Sequence, residues 1–198
     1  MSKELYPVTS FDVAKVAKKY ETPVWVYEQA ILEKRAQEVQ AFDLVRYAQK
    51  ANSNLAILTI LKNQGIKVDA VSAGEVLRAF KVGYTASAEH SDVVFTADLF
   101  DKDALKIIKE HNVPVNVGSM DLISQLADNK INVPVTLRIN PGFGHGHSKK
   151  TNTGGELSKH GIWHTDIEEC VQIGKDRGVN VNGLHMHIGS GADFEHLT

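Results

Sequence analysis

From residue 44 onward, short runs rich in β-branched residues alternate with stretches whose apolar residues recur every three or four positions. This alternation constrains the fold more than any other feature of the chain. The strand-like runs are residues 44–48, 68–72, 93–96, 115–117, 133–139 and 181–187. The helix-like stretches are 56–64, 74–82, 102–111, 121–128 and 166–177. In 102–111, Ala104, Leu105, Ile107 and Ile108 form one face and Lys102, Lys106 and Lys109 the other. Asp101 or Asp103 supplies an N-cap to that helix, and Gly65 and Gly178 follow two of the others, where a left-handed residue ends a helix.

Strict alternation of strand and helix implies parallel strands joined by helical crossovers. A doubly wound sheet places a glycine-rich phosphate turn after its first strand. Here that turn reads Lys50-Ala-Asn-Ser-Asn54, without glycine. A (β/α)8 barrel instead gathers its chemistry at the C-terminal ends of its strands. Lys50, Asp69, Ser72, Asn140, His187 and Ser190 all fall at such ends, which favours the barrel. Six strands are two short of closure, leaving apolar parallel edges for something outside these 198 residues to cover. Residues 1–43 are expected to lead into the barrel, and residues 44–198 to form a partial barrel domain.

Composition narrows the setting. The net charge of −2 carries no basic block, which argues against nucleic acid and acidic membranes as partners. A single cysteine, Cys170, excludes an internal disulfide framework and suits a reducing compartment. The N-terminal residues show no uninterrupted apolar core of a signal peptide, and no apolar run approaches the roughly 20 residues of a membrane span. A cytoplasmic location is expected.

Four places carry candidate chemistry. Lys50, in Arg46-Tyr-Ala-Gln-Lys-Ala-Asn52, lies where an apolar strand meets a polar turn. At a barrel mouth, partial desolvation favours the neutral amine, the form that attacks an aldehyde; the ordinary alternative is a solvated strand end. In Gly183-Leu-His-Met-His-Ile-Gly-Ser-Gly191, His185 and His187 lie two apart on a strand and so share a face. The Gly-Ser-Gly turn beyond them offers N–H groups and a hydroxyl to a phosphate, while the imidazole suits a stacked aromatic ring. A pair of hydrogen-bonded core histidines, or half of a zinc site, are the competing readings.

The stretch 138–161 holds six glycines, His145, His147 and a cluster of Ser, Thr and Asn, a polar loop longer than most connections. With one carboxylate, Glu156, against Lys149, Lys150 and Lys159, it suits an anionic ligand better than a divalent cation. Asp69 closes the second strand, placed to pair with Lys50 or Arg138 or to serve as a simple turn residue, and Ser72-Ala-Gly-Glu75 starts a helix.

The segments RYAQKAN, VDAVSAGE, LRINPGFGHGHSKKTNTGGELSKHGIW and GLHMHIGSG, in this order, resemble the diaminopimelate decarboxylases, a branch of the fold-type III pyridoxal-phosphate decarboxylases. The likeness runs from about Pro23 to the last residue, and the third segment is its most specific part. The resemblance implies a TIM barrel of the alanine racemase and ornithine decarboxylase type, incomplete here at about six βα units. It also implies pyridoxal 5'-phosphate as cofactor and decarboxylation of meso-2,6-diaminopimelate to L-lysine. Lys50 would then be the imine-forming catalytic lysine, His187 would stack on the pyridine ring, and Ser190 would help hold the phosphate. Arg138 and Asp69 would belong to the charged network beneath the cofactor. Lys159 matches a family position near a homodimer interface, and His160 stands where an aromatic is usual.

The departure from that family is the absence of its second half: the last barrel strands with a phosphate loop, a Glu-Pro-Gly-Arg segment, and a β-domain that contributes a cysteine to the partner's site. Cys170, on an expected helix, is not that cysteine and is read as structural. These residues alone are therefore expected to bind the cofactor weakly and turn over poorly or not at all. Two other readings stand beside this one: a metal-dependent barrel hydrolase using His145, His147, His185 and His187, and a truncated cofactor-binding protein without catalysis. The metal reading lacks the carboxylate ligands such sites usually include.

Overall fold

The computed structural model describes residues 13–144 and 153–190. Two helices, α1 (Val13–Tyr20) and α2 (Gln29–Glu38), precede an alternating series. It runs β1 (Arg46–Ala48), α3 (Leu55–Asn63), β2 (Lys67–Ala70), α4 (Ala73–Lys81), β3 (Val93–Thr96), α5 (Lys102–His111), β4 (Val115–Val117) and α6 (Met120–Asp128). It continues with β5 (Val135–Asn140), β6 (Ile162–Trp163), α7 (Ile167–Arg177) and β7 (Val181–Met186). Every strand pairing is parallel, in the order β1-β2-β3-β4-β5, with β7 on β5. The two-residue β6, absent from the six strands expected, pairs with Ile139 and Asn140, beyond the point where β4 stops opposite Leu137. Two residues are too few to show any period.

The outward face of the sheet is apolar because the crossover helices cover it. Val68, Ala70, Val93, Phe95, Val115, Val117, Val135 and Leu137 are buried there. They pack in one core with Leu58, Val76, Ile108, Ile123 and Leu126 from the helices. At about 1.5–3 kcal/mol for each large apolar side chain removed from water, this layer dominates the stability. Cys170 belongs to the same core; burial pushes its thiol up, and it is a free, structural cysteine. A smaller cluster of Ala36, Ile57, Leu61 and Ile66 fastens α2 onto α3.

Local chemistry fixes the ends. Asp101 caps α5 by accepting from Ala104 N at 2.7 Å, and Asn54 caps α3 by accepting from Ala56 N at 2.9 Å. Ser72 accepts from Glu75 N at 3.3 Å, while the Glu75 carboxylate accepts from Val71 N at 2.8 Å, a reciprocal cap on α4. Gly178 (φ 69°) ends α7 in the left-handed conformation.

Among the described residues β1 and β7 form the edges of the sheet, each with one strand partner. Leu184 and Met186 on β7 are 64% and 61% exposed. No described helix is long and apolar enough to cross a membrane.

Candidate active site

Strand register decides which side chains share the inner face. Ala48 lies beside Asp69, Thr96 beside Asn116, Asn116 beside Thr136, and Arg138 beside His185. Residues in register point to the same side of a parallel sheet, so the inner face is polar where the outer one is apolar. Asn116 Nδ2 donates to Thr96 Oγ1 at 2.7 Å across this face.

The inner face opens at the C-terminal strand ends into a cavity of about 610 Å³. Lys50, Asp69, Arg138, His160, His187 and Ser190 all line it, from four strands or the turns after them. His185, Thr96, Asp98 and Thr153 line it too. Lys159 is exposed and lines no part of it, and Ser72 serves as a cap. His145 and His147 lie outside the described residues. Among the described residues no group of three or more His, Cys, Asp or Glu side chains is arranged to hold a metal ion.

Lys50 sits in a single 3-10 turn, Gln49–Ala51, directly after β1. The turn needs no glycine because side chains brace it. Tyr47 OH donates to Asn52 O at 3.1 Å, and Asn52 Oδ1 accepts from Asn54 N at 3.0 Å. Facing it, burial pushes the Asp69 carboxyl up, opposed by the Thr96 hydroxyl and by the charges of Lys50 and Arg46. Burial, with Arg138 and His187 beside it, pulls the His185 imidazole down to about 4. Burial, Arg138, Lys50 and His160 also lower His187. Among the described residues, Oδ1 of Asp69 and Nδ1 of His185 are buried without a hydrogen-bond partner. Buried polar atoms are ordinarily satisfied, so two orphans lining one cavity point to a ligand with polar atoms of its own.

Arg138 finds its carboxylate not in Asp69 but in Asp98, whose Oδ1 lies 3.4 Å from Nη1. Oδ2 of the same carboxylate lies 2.7 Å from His160 Nδ1. Asp98 ends the third β-run, in Phe95-Thr-Ala-Asp98, so the strand-end rule that picked out Asp69 applies to it equally. The long loop is gathered by Asn140, which is 3% exposed. Its side chain donates to Gly155 O at 3.0 Å and accepts from Gly155 N at 2.8 Å and Gly142 N at 3.1 Å.

An amine, an imidazole and a hydroxyl-bearing turn meet at one barrel mouth. Residues 28–197 match the family model described as "Pyridoxal-dependent decarboxylase, pyridoxal binding domain", and the chain belongs to that family. Among its curated relatives, the diaminopimelate decarboxylase of Escherichia coli (strain K12) is 46% identical over 190 residues, 96% of this chain and 45% of the relative. That of Streptomyces coelicolor is 48% identical over 185 residues, 93% and 42% respectively. A solved diaminopimelate decarboxylase superimposes with a TM-score of 0.86 at 46% identity, covering 93% of this chain and 44% of that one. The Helicobacter pylori enzyme complexed with L-lysine gives 0.79 at 26% identity, covering 90% and 47%. The chain thus spans less than half the length of the relatives it matches.

Proposed function

We propose that this chain is the cofactor-holding part of a diaminopimelate decarboxylase. In that reading, a longer protein of the same family converts meso-2,6-diaminopimelate to L-lysine and carbon dioxide in the cytoplasm, as a homodimer. Residues 44–198 would form the cofactor domain and residues 1–43 lead into it. The observation that carries the reading is the convergence of Lys50, His187 and Ser190 on one cavity. Relatives named for this activity, at 46–48% identity, support it.

The residues present fit pyridoxal phosphate. Lys50 offers an amine to the aldehyde, His187 a flat ring, and Ser190 a hydroxyl to the phosphate. The orphaned Asp69 and His185 atoms await polar partners. When bound, the cofactor supplies the electron sink that a decarboxylation requires.

The protein's own contribution is orientation and charge. His187, held toward its neutral form, presents an uncharged ring to a flat partner. Asp98 fixes Arg138 at the inner wall. Asn140 holds Gly155 at the end of β5, and Thr153 donates to the carbonyl of His187 beyond β7. Turnover belongs to the longer protein, and the chain alone is expected to hold the cofactor weakly.

The test is to add pyridoxal phosphate, reduce with borohydride and map the labelled peptides by mass spectrometry. An adduct confined to Lys50 is the expected result. Labelling spread over surface lysines, at equal yield in Lys50→Ala, would refute the assignment.

A further inference from the structure

Bulky branched apolar side chains ordinarily fill the interior layers of a barrel of this kind. One layer of this chain departs from that rule. Thr96 on β3, Asn116 on β4, Thr136 on β5 and Gly183 on β7 lie in register as one inward row. The row sits two residues below Arg138 and His185, which line the cavity. A Cβ at Gly183 would meet Thr136 Oγ1 at 2.9 Å, so the row is closed tightly at that end. At the other end Asn116 Nδ2 donates to Thr96 Oγ1 at 2.7 Å.

Thr96 lines the cavity and Asn116 does not, so the amide acts there only through the hydroxyl. Asp69 lines the same cavity from β2, and the Thr96 hydroxyl hydrogen-bonds its carboxyl, favouring the charged form against burial. A hydroxyl has one hydrogen to give and lone pairs to receive. With a lone pair engaged by the Asn116 amide, the hydrogen is left for Asp69. The opposite amide orientation would draw that hydrogen to Asn116 Oδ1 and away from Asp69. The chain Asn116–Thr96–Asp69 thus crosses three neighbouring strands and grips one side of the carboxyl. What remains over is Oδ1, buried and without a hydrogen-bond partner among the described residues. Arg46 on β1, Lys50 in the turn after it and Glu75 on α4 also place charge near Asp69. Charge at a distance changes the carboxyl's acidity but fixes no direction, whereas a hydrogen bond does both.

We propose that Thr96 and Asn116 are positioning residues for Asp69, turning its Oδ1 into the cavity toward a polar atom of the bound cofactor. The identity of that ligand as pyridoxal phosphate rests on the reading above; the hold on Asp69 does not. Thr96 acts on Asp69 directly, and Asn116 acts through Thr96.

The test follows the side-chain carboxyl carbon of Asp69 by ¹³C NMR over a pH series in the protein without cofactor, the signal being assigned with Asp69→Asn. Thr96→Val keeps the branched shape and removes the hydroxyl, so the Asp69 midpoint should rise by about half a pH unit or more. Thr96→Ser should return it. Asn116→Leu should raise it by less, because the hydroxyl then turns freely. Pyridoxal phosphate affinity, read by absorbance, should fall about threefold or more in Thr96→Val and recover in Thr96→Ser. A packing role alone would lower the thermal midpoint while the Asp69 titration stayed where it was, and that result would overturn the proposal. A lower Asp69 midpoint in Asn116→Leu would overturn it too, since the amide oxygen would then be the group that takes the Thr96 hydrogen. So would unchanged affinity in Thr96→Val with the cofactor bound at Lys50, because Oδ1 would then not meet it. A missing Lys50 adduct in the unsubstituted protein, with Asp69 responding as expected, would sink the cofactor reading and leave the positioning of Asp69 standing.

Discussion

The hydroxyl of Thr153 donates to the main-chain carbonyl of His187 at 2.8 Å. This bond ties the returning limb of the long loop to the residue that offers its ring to the cavity. Asn140 secures that limb from the other side through its two bonds to Gly155. The loop base, the end of β5 and the end of β7 are therefore one mechanical unit.

Thr153→Val keeps the branched shape and removes the donor, leaving a half-buried carbonyl unpaired. The loss should be about 1 kcal/mol of stability. It should also weaken pyridoxal phosphate more than Thr59→Val does, because Thr59 donates on the exposed side of α3. Paired cofactor titrations followed by absorbance check this, and equal affinities in the two variants would remove Thr153 from the site.

His185 makes stability pH-dependent. Its folded value of about 4 lies below its ordinary 6.5, so the fold favours the neutral ring. The unfolded chain then binds the proton first as pH falls, and stability present above 6.5 is lost between about 6.5 and 4. Discounted for its partial exposure, the contribution is roughly 1–2 kcal/mol. Asp69 acts in the opposite sense, because its raised folded pKa costs stability above its ordinary range. Urea unfolding at pH 7 and pH 4.5 should show a smaller difference in His185→Gln than in the unsubstituted protein.

Much of this was legible in the sequence, for identifiable reasons. Helix α5 announces itself because Ala104, Ile107 and Ile108 repeat on one face behind Asp101. Lys50, Asp69, Asn140, His187 and Ser190 stand out because the barrel rule looks at strand ends, whereas Arg138 stands out only through the resemblance to the family. Strand β6 was invisible because two residues carry no period, and its pairing to Asn140 depends on the loop's return. Asp98 satisfied the strand-end rule, yet its partner His160 is 62 residues away, and only the fold brings them together. Helices α1 and α2 were not read as elements: α1 follows the opening polar stretch, and α2 buries only Ala36.

Gln49 is 1% exposed, and among the described residues both polar atoms of its amide lack a hydrogen-bond partner. An unsatisfied buried amide costs about 1–3 kcal/mol. Gln49→Met matches its length and flexibility without the polar atoms, so it should raise the thermal midpoint by several degrees. The neighbouring Lys50 would keep its place, since Tyr47 and Asn52 brace the turn independently. Calorimetry decides it, and a lowered midpoint would show that the amide has a partner after all.

The β7 edge, which has β5 as its one strand partner among the described residues, carries the last prediction. Leu184 and Met186 alternate with His185 along β7, so the polar residue faces the cavity and the two apolar ones face outward, more than half exposed. An uncovered parallel edge with apolar side chains invites pairing with another chain. For a protein of these 198 residues, Leu184→Lys with Met186→Thr should lower self-association. A charge on an exposed edge disfavours stacking, while the inner face and its histidines stay as they are. Light scattering over a concentration series should show a smaller apparent mass for the double variant at an unchanged thermal midpoint. Identical scattering from both proteins would mean that this edge does not drive association.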